Sequence, residues 1–135
     1  GGGFTSGFAG LVGYGNSTIN PTQWSWEIIR AGTVVQFNIS DGTNVGTSTG
    51  TTNVNSGWHH IAVTRASGTV RLFVDGNQEF SFAWSANVPG SLGFFRIGSA
   101  NSTGGLPSSF IDEPRYSVGI ARWTANFLPP SSAYT

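Results

Sequence analysis

The sequence predicts an all-β chain folded as a two-sheet antiparallel β-sandwich. Three observations carry this. Apolar residues recur at every second position in several short segments, glycine and small polar residues fill the stretches between them, and no helical spacing of apolar residues persists over three turns. The 135 residues suit one domain, long enough to bury a core without disulfide or metal staples. The 20 glycines mark many turns, and 10 Phe, 5 Trp and 3 Tyr supply bulk for an interior.

Residues 1–23 are glycine-rich with isolated aromatics and are expected as a head segment packed on a sandwich that occupies residues 24–135. Within the head, Phe8-Ala9-Gly10-Leu11-Val12 has the length of a short strand. From Trp24 the period of two is clear: Trp24, Trp26 and Ile28 alternate with Ser25, Glu27 and Ile29. Val35, Phe37 and Ile39 repeat it after a turn at Ala31-Gly32. Asp41 to Asn55 reads as a polar loop holding at most one threonine-rich edge strand.

Trp58 to Arg65, Thr69 to Val74 and Gln78 to Trp84 form a predicted three-stranded meander. Its turns are Ala66-Ser67-Gly68 and Asp75-Gly76-Asn77, the latter with Gly76 at positive φ. Leu92 to Ile97 and Phe110 to Tyr116 are the last strand-like stretches, and Val118 to Phe127 has room for one helical turn. Trp26, Trp58, Phe73 and Phe95 sit in strand patterns and are expected in the core, with Trp58 filling the interior at the start of its strand.

Composition also excludes partners. Six Arg, no Lys and six acidic residues give a formal net charge of zero, so the chain has no electrostatic footprint for nucleic acid. Its apolar runs fall far short of the roughly 20 residues of a spanning helix, and membrane insertion is not expected. The absence of cysteine removes thiolate catalysis and zinc-thiolate sites. The opening at Gly1, without an initiator methionine or cleavage pattern, is that expected of a piece of a longer chain.

Gly57-Trp58-His59-His60-Ile61-Ala62-Val63-Thr64-Arg65, followed by Thr69-Val70-Arg71-Leu72-Phe73-Val74-Asp75-Gly76, resembles the paired strand motif of laminin G-like, concanavalin A-like jelly rolls. Phe95-Arg96-Ile97-Gly98 and Phe110-Ile111-Asp112-Glu113 are similar to the late strands of that family. Gly119-Ile120-Ala121-Arg122-Trp123-Thr124-Ala125-Asn126-Phe127 with Pro129-Pro130 resembles the ending of versions carried by bacteriophage virion and tail-fibre proteins.

The resemblance runs from about Trp24 to Pro130. It implies a jelly roll whose relatives bind glycans, proteins or cell surfaces, in a virion or extracellular setting. Two departures stand out. Pro114 replaces the usual valine, which calls for an edge or a bulge there. The family's opening strand has no evident counterpart before Trp24, so an edge near Trp24 to Ile29 or Phe110 to Tyr116 is expected to need a cover, from the head or from a neighbouring subunit.

No catalytic residue, metal ligand or cofactor is expected. Adjacent strand residues point to opposite faces, so His59 and His60 do not readily share an ion, and Asp112 and Glu113 do not face one another across a glycosidase cleft. Glu27 stands alone on its strand, no G-x-S-x-G elbow presents a serine, and Gly104-Gly105 lacks the lysine of a phosphate loop. Asp41 and Asp75 are single acids followed by glycine, as in turns, too few for a strong calcium site.

Tyr14, Trp84 and Trp123 fall near segment ends, where rings meet ligands, and Asn44 and Asn101 offer loop amides. These five are the expected ligand-binding residues. The expectation is a non-catalytic module binding a host-surface glycan, alongside other virion or fibre subunits. A structural or capsid-decorating domain without sugar binding, and an accessory domain of a polysaccharide-degrading enzyme, are the alternatives.

Overall fold

A computed structural model describes residues 7–15, 24–90, 93–99 and 109–132. The described residues form eight strands: β1 (Phe8–Gly15), β2 (Trp24–Ala31), β3 (Val34–Ser40), β4 (Val45–Thr49), β5 (Ile61–Ala66), β6 (Thr69–Val74), β7 (Asn77–Ala83) and β8 (Phe94–Ile97). They form two antiparallel sheets, a large one in the order β4-β3-β2-β1-β8 and a small one in the order β5-β6-β7. No helix occurs among the described residues, and the all-β sandwich follows from the alternation read in the sequence.

The small sheet is a meander closed by two-residue turns. Ser67 and Gly68 have φ of 48° and 70°, Asp75 and Gly76 of 51° and 78°. Two consecutive positive φ values define the turn whose twist matches that of the flanking strands, so these sequences fix the register of both hairpins. The positive φ expected at Gly76 is present.

The core lies between β3 and β6. Val35 packs with Leu72 and Val74, and Phe37 and Ile39 pack with Val70, flanked by Ile28, Val63, Phe80 and Phe82. Gly46 on β4 lets the layers close at one end: a Cβ there would lie 2.8 Å from the Trp84 ring and 2.9 Å from that of Phe82.

The outer face of the large sheet carries a polar row. Arg96, Gly13, Glu27, Asn38 and Thr47 stand side by side across all five strands. Glu27 is buried and accepts from the Asn38 amide at 2.9 Å, while the Asn38 oxygen accepts from Thr47 at 2.9 Å. The acid that stands alone in sequence is thus held in a lateral hydrogen-bonded ladder.

The outer face of the small sheet is covered by the C-terminal segment. Phe73 is fully buried there against Phe127, whose ring centroid is 5.4 Å away. Trp123 stacks on Phe127 at 4.0 Å and 9°, the Thr64 hydroxyl donates to the Trp123 carbonyl at 2.8 Å, and the Gln78 N–H donates to Asn126 at 2.9 Å.

Five expectations require correction. An opening strand does precede Trp24: β1 lies inside the large sheet between β2 and β8. Its alternation is invisible in sequence because Gly10 and Gly13 occupy outer-face positions, and a register shift separates Gly10 from Val12. Residues 110–116 form no strand, since Glu113 has φ of 49° and Pro114 has no N–H to donate.

Trp58 is not in the core. It is 72% exposed, because Gly57 turns the chain at φ 82° and β5 begins only at Ile61. Phe95 is 43% exposed, because β8 lies at the end of the large sheet, beyond the reach of the small one. The helical turn given room in Val118 to Phe127 does not form.

Candidate functional site

Five strands against three leave an overhang. The packing of β6 on β3, with Ile61 and Val63 of β5 and Ile28 of β2 against the same buried cluster, sets the small sheet over the β4-β3-β2 side. β1 and β8 then extend about two strand spacings, near 10 Å, past the edge of β5. Their inner faces form a ledge rather than a sealed core.

The ledge is aromatic. Phe95, Tyr14 and Trp26 are neighbours in one cross-strand row on β8, β1 and β2. Tyr116 closes over them, stacked on Trp26 at 5.7 Å and 24° and tilted against Phe95 at 5.6 Å, while Trp26 meets Phe95 edge-on at 6.1 Å. Tyr116 remains 62% exposed. The Tyr14 hydroxyl donates to the Gly90 carbonyl at 2.7 Å, which ties the ledge to the loop after β7.

An open cavity of about 1640 Å³ lies between the layers. Trp26 and Phe95 sit on one side of it, Ile61 and Val63 on the other, with Phe110 and Tyr116 from the C-terminal segment. The outward main chain of β5 borders this space. His60 accepts from the Asp75 N–H, so the alternate residues Ile61, Val63 and Arg65 turn their N–H and C=O groups away from β6. The cleft therefore combines flat apolar rings with a row of directional main-chain groups.

The five residues expected from sequence divide between places. Tyr14 is in the aromatic row. Trp84 lies at the same end of the sandwich, over Gly46, with Arg65 donating to its carbonyl at 3.2 Å and its own indole N–H buried without an acceptor among the described residues. Asn44 is in the β3–β4 turn at that end, where its amide donates to Asp41 at 3.0 Å. Trp123 is elsewhere, on the outer face of the small sheet, and Asn101 lies outside the described residues. Trp26, Phe95 and Tyr116 were not singled out as ligand residues. They come from three distant segments, and only strand register brings them together.

The acidic groups have local partners. Asp41 accepts the N–H groups of Asn44 and Thr43 at 2.6 and 2.8 Å, and these bonds hold its carboxyl below the ordinary range. Glu79 accepts from Thr51 and Thr52 at 2.7 and 3.1 Å, and Asp112 from the Glu113 N–H at 2.9 Å.

Asp75 binds the His59 ring at 2.8 Å and the His60 N–H at 2.9 Å. Burial acts to raise its carboxyl pKa, but these hydrogen bonds outweigh it and the pKa falls. The second His59 nitrogen faces the Ser56 carbonyl at 3.0 Å, so both ring nitrogens meet acceptors, and the Asp75 bond raises the His59 pKa. His60 turns instead to Trp123 and Phe127, each 5.5 Å away, and burial lowers its pKa. Among the described residues no group of three or more metal-ligating side chains is placed to hold an ion.

A laminin G family model, described as the concanavalin A-like lectin/glucanases superfamily, matches residues 5–116. The chain belongs to this family. No individual curated protein and no solved structure gives a significant match. The family match takes in β1 as well as the meander, in accord with the place of β1 inside the large sheet. Membership in this superfamily supports a carbohydrate-binding or related module, and its laminin G-like members are typically binding domains although the superfamily also includes glucanases.

Proposed function

We propose that this laminin G-like domain is a non-catalytic module that binds a saccharide ring on the Phe95, Tyr14 and Trp26 row beneath Tyr116. The observation that supports this is the aromatic row on the overhanging strands. Sugar C–H faces pack on such rings, while main-chain groups at a sheet edge and Arg or Asn side chains orient the hydroxyls. Hydrolysis needs two carboxyl groups roughly 5 to 9 Å apart across a cleft. The carboxylates of Asp41, Asp75 and Glu79 are engaged in turns and loops, and Asp112, on the cavity wall beside Glu113, accepts from the Glu113 N–H.

The finer reading is attachment to a host-surface glycan from a virion or other extracellular assembly. It rests on the resemblance of Gly119 to Phe127 to the endings of bacteriophage fibre domains. A second reading, a subunit contact without sugar recognition, is favoured by the exposure of Val118, Ile120 and Leu128 along the C-terminal segment.

A glycan array probed with a multivalent display of the domain tests the proposal, since avidity raises weak monomer affinities by roughly 10² to 10⁴. Binding that is lost in a folded Tyr116→Ala variant is the expected result. No binding by the multivalent wild type, or binding indifferent to Tyr116, would overturn the proposal in favour of the subunit contact.

A further inference from the structure

The cleft does not end at the ledge. Trp26, Ile28 and Arg30 alternate onto the inner face of β2, so Arg30 stands about 13 Å along the strand from the aromatic row. The same open cavity reaches it, and Asn55 and Trp58 line that end. β5 begins there, with Ile61 packed on the cluster of Val35, the residue that pairs with Arg30, and it runs towards Trp26. The outward main-chain groups of Ile61, Val63 and Arg65 therefore follow the cleft between its two ends.

The far end repeats the chemistry of the ledge. Trp58 is mostly in solvent, turned out by the positive φ of Gly57, and among the described residues no ring packs against it. An indole left in water forgoes the stabilisation of burial and offers its flat face to a ligand. Asn55, three residues earlier, is exposed but held in place: its Oδ1 accepts from Arg30 Nη1 at 2.9 Å, and its main-chain N–H donates to Asn53 Oδ1 at 3.0 Å. Arg30 Nη1 is itself tied to the Gly32 carbonyl at 2.6 Å. The Nδ2 donors of Asn55 thus face away from Arg30 in a fixed direction.

Charge along the cleft is of both signs. Arg30 and Arg65 line it from the strands, Asp112 and Glu113 from the C-terminal segment, so no single-sign field draws an ionic ligand.

We infer that Trp58 and Asn55 form a distal binding position of this cleft, and that its ligand is a neutral linear oligosaccharide lying along β5 from Tyr116 to Trp58. One sugar ring is too short to touch both ends. The inference rests on the saccharide reading of the ledge and adds to it the length of the ligand and the residues that sense it.

The test is an array of linear gluco-, manno-, galacto- and N-acetylglucosamine oligomers of graded length. It is probed with multivalent displays of the wild type and of folded Trp58→Ala, Trp58→Phe and Tyr116→Ala variants. Binding should climb with chain length for the recognised sugar, the long members binding about tenfold more tightly than the short ones. Trp58→Ala removes that gain and leaves the short members bound as by the wild type, and Trp58→Phe restores most of it. Tyr116→Ala loses short and long members alike.

Equal binding of short and long oligomers by the wild type, or a length gain that survives Trp58→Ala, would overturn the inference and leave the ledge reading standing. No binding to any series would overturn both. Self-association that disappears in Trp58→Ala on sedimentation, with glycan binding unchanged, would overturn it by assigning Trp58 to a contact between copies.

Discussion

The main-chain N–H of Phe127 donates to the carbonyl of Gly76 across 2.9 Å, and only a residue without a side chain permits it, since a Cβ at Gly76 would collide with the Phe127 carbonyl oxygen. The turn between β6 and β7 is thus also the docking point of the C-terminal segment. Gly76→Val meets two penalties: backbone strain at φ 78°, of order 1–3 kcal/mol, and expulsion of the segment from the turn. Urea unfolding is expected to show at least that loss, with Trp123 moving to a more polar fluorescence environment. A midpoint equal to that of the wild type would contradict it.

Phe73 and Trp58 should respond in opposite ways to the same truncation. Phe73 is fully buried between β6 and Phe127, so Phe73→Ala is expected to cost about 3–5 kcal/mol. Trp58, mostly in solvent, should lose no more than about 0.5 kcal/mol on replacement by Ala. Equilibrium denaturation of the two variants checks the ranking, and comparable losses would place Trp58 back in the interior.

Gly46→Ala places a methyl group against the rings of Trp84 and Phe82, which must then move. Overpacking of this kind costs typically 1–3 kcal/mol. The near-ultraviolet circular dichroism of Trp84 should change with it. A variant with wild-type stability and an unchanged aromatic spectrum would show that the two layers do not close there.

The histidines should titrate in opposite directions from 6.5, their ordinary value. The raised pKa of His59 means that its contribution to stability is complete below 6.5 and is lost as pH rises through the raised value. The lowered pKa of Asp75 makes its share complete above 3.8 and lost as pH falls through the lowered value, so this pair contributes most between those limits. His60 runs the other way: burial favours its neutral form, and stability is lost as pH falls through its lowered value. Solvent screening keeps the effect of the exposed pair modest. NMR titration should place His59 above 6.5 and His60 below it, with Asp75→Asn bringing His59 down; the reverse order would refute the assignment.

The strands that alternate a bulky residue with a polar one, β2, β3, β6 and β7, were legible because each shows one face to the core and one outward. β4 was legible only as a threonine-rich edge. β1 was legible as the short strand Phe8 to Val12 but not as the family's opening strand, because Gly10 and Gly13 erase the polar half of its pattern. Trp58 misled because the motif around it continues beyond the strand it introduces. Tyr14 and Trp84 stand at segment ends, the positions that strand register carries to one end of the sandwich. Trp26 does pack against the core, whereas Phe95 was read as core because sequence shows which face a ring takes but not whether an opposing strand covers it.

The pairing of Val12 with Ile97 joins nearly opposite parts of the chain. The meander from Ile61 to Ala83, by contrast, closes through neighbouring residues alone. Loop-closure entropy therefore favours the meander as an early folding nucleus and leaves the seam between β1 and β8 among the last contacts to form. During synthesis β1 emerges long before its second partner, with β2 its only neighbour until β8 has left the ribosome. The aromatic ledge is complete only when that seam closes, so the surface proposed to take a saccharide is assembled at the end of folding. Pulse-labelled hydrogen exchange would register this as protection arising in β5, β6 and β7 before β8.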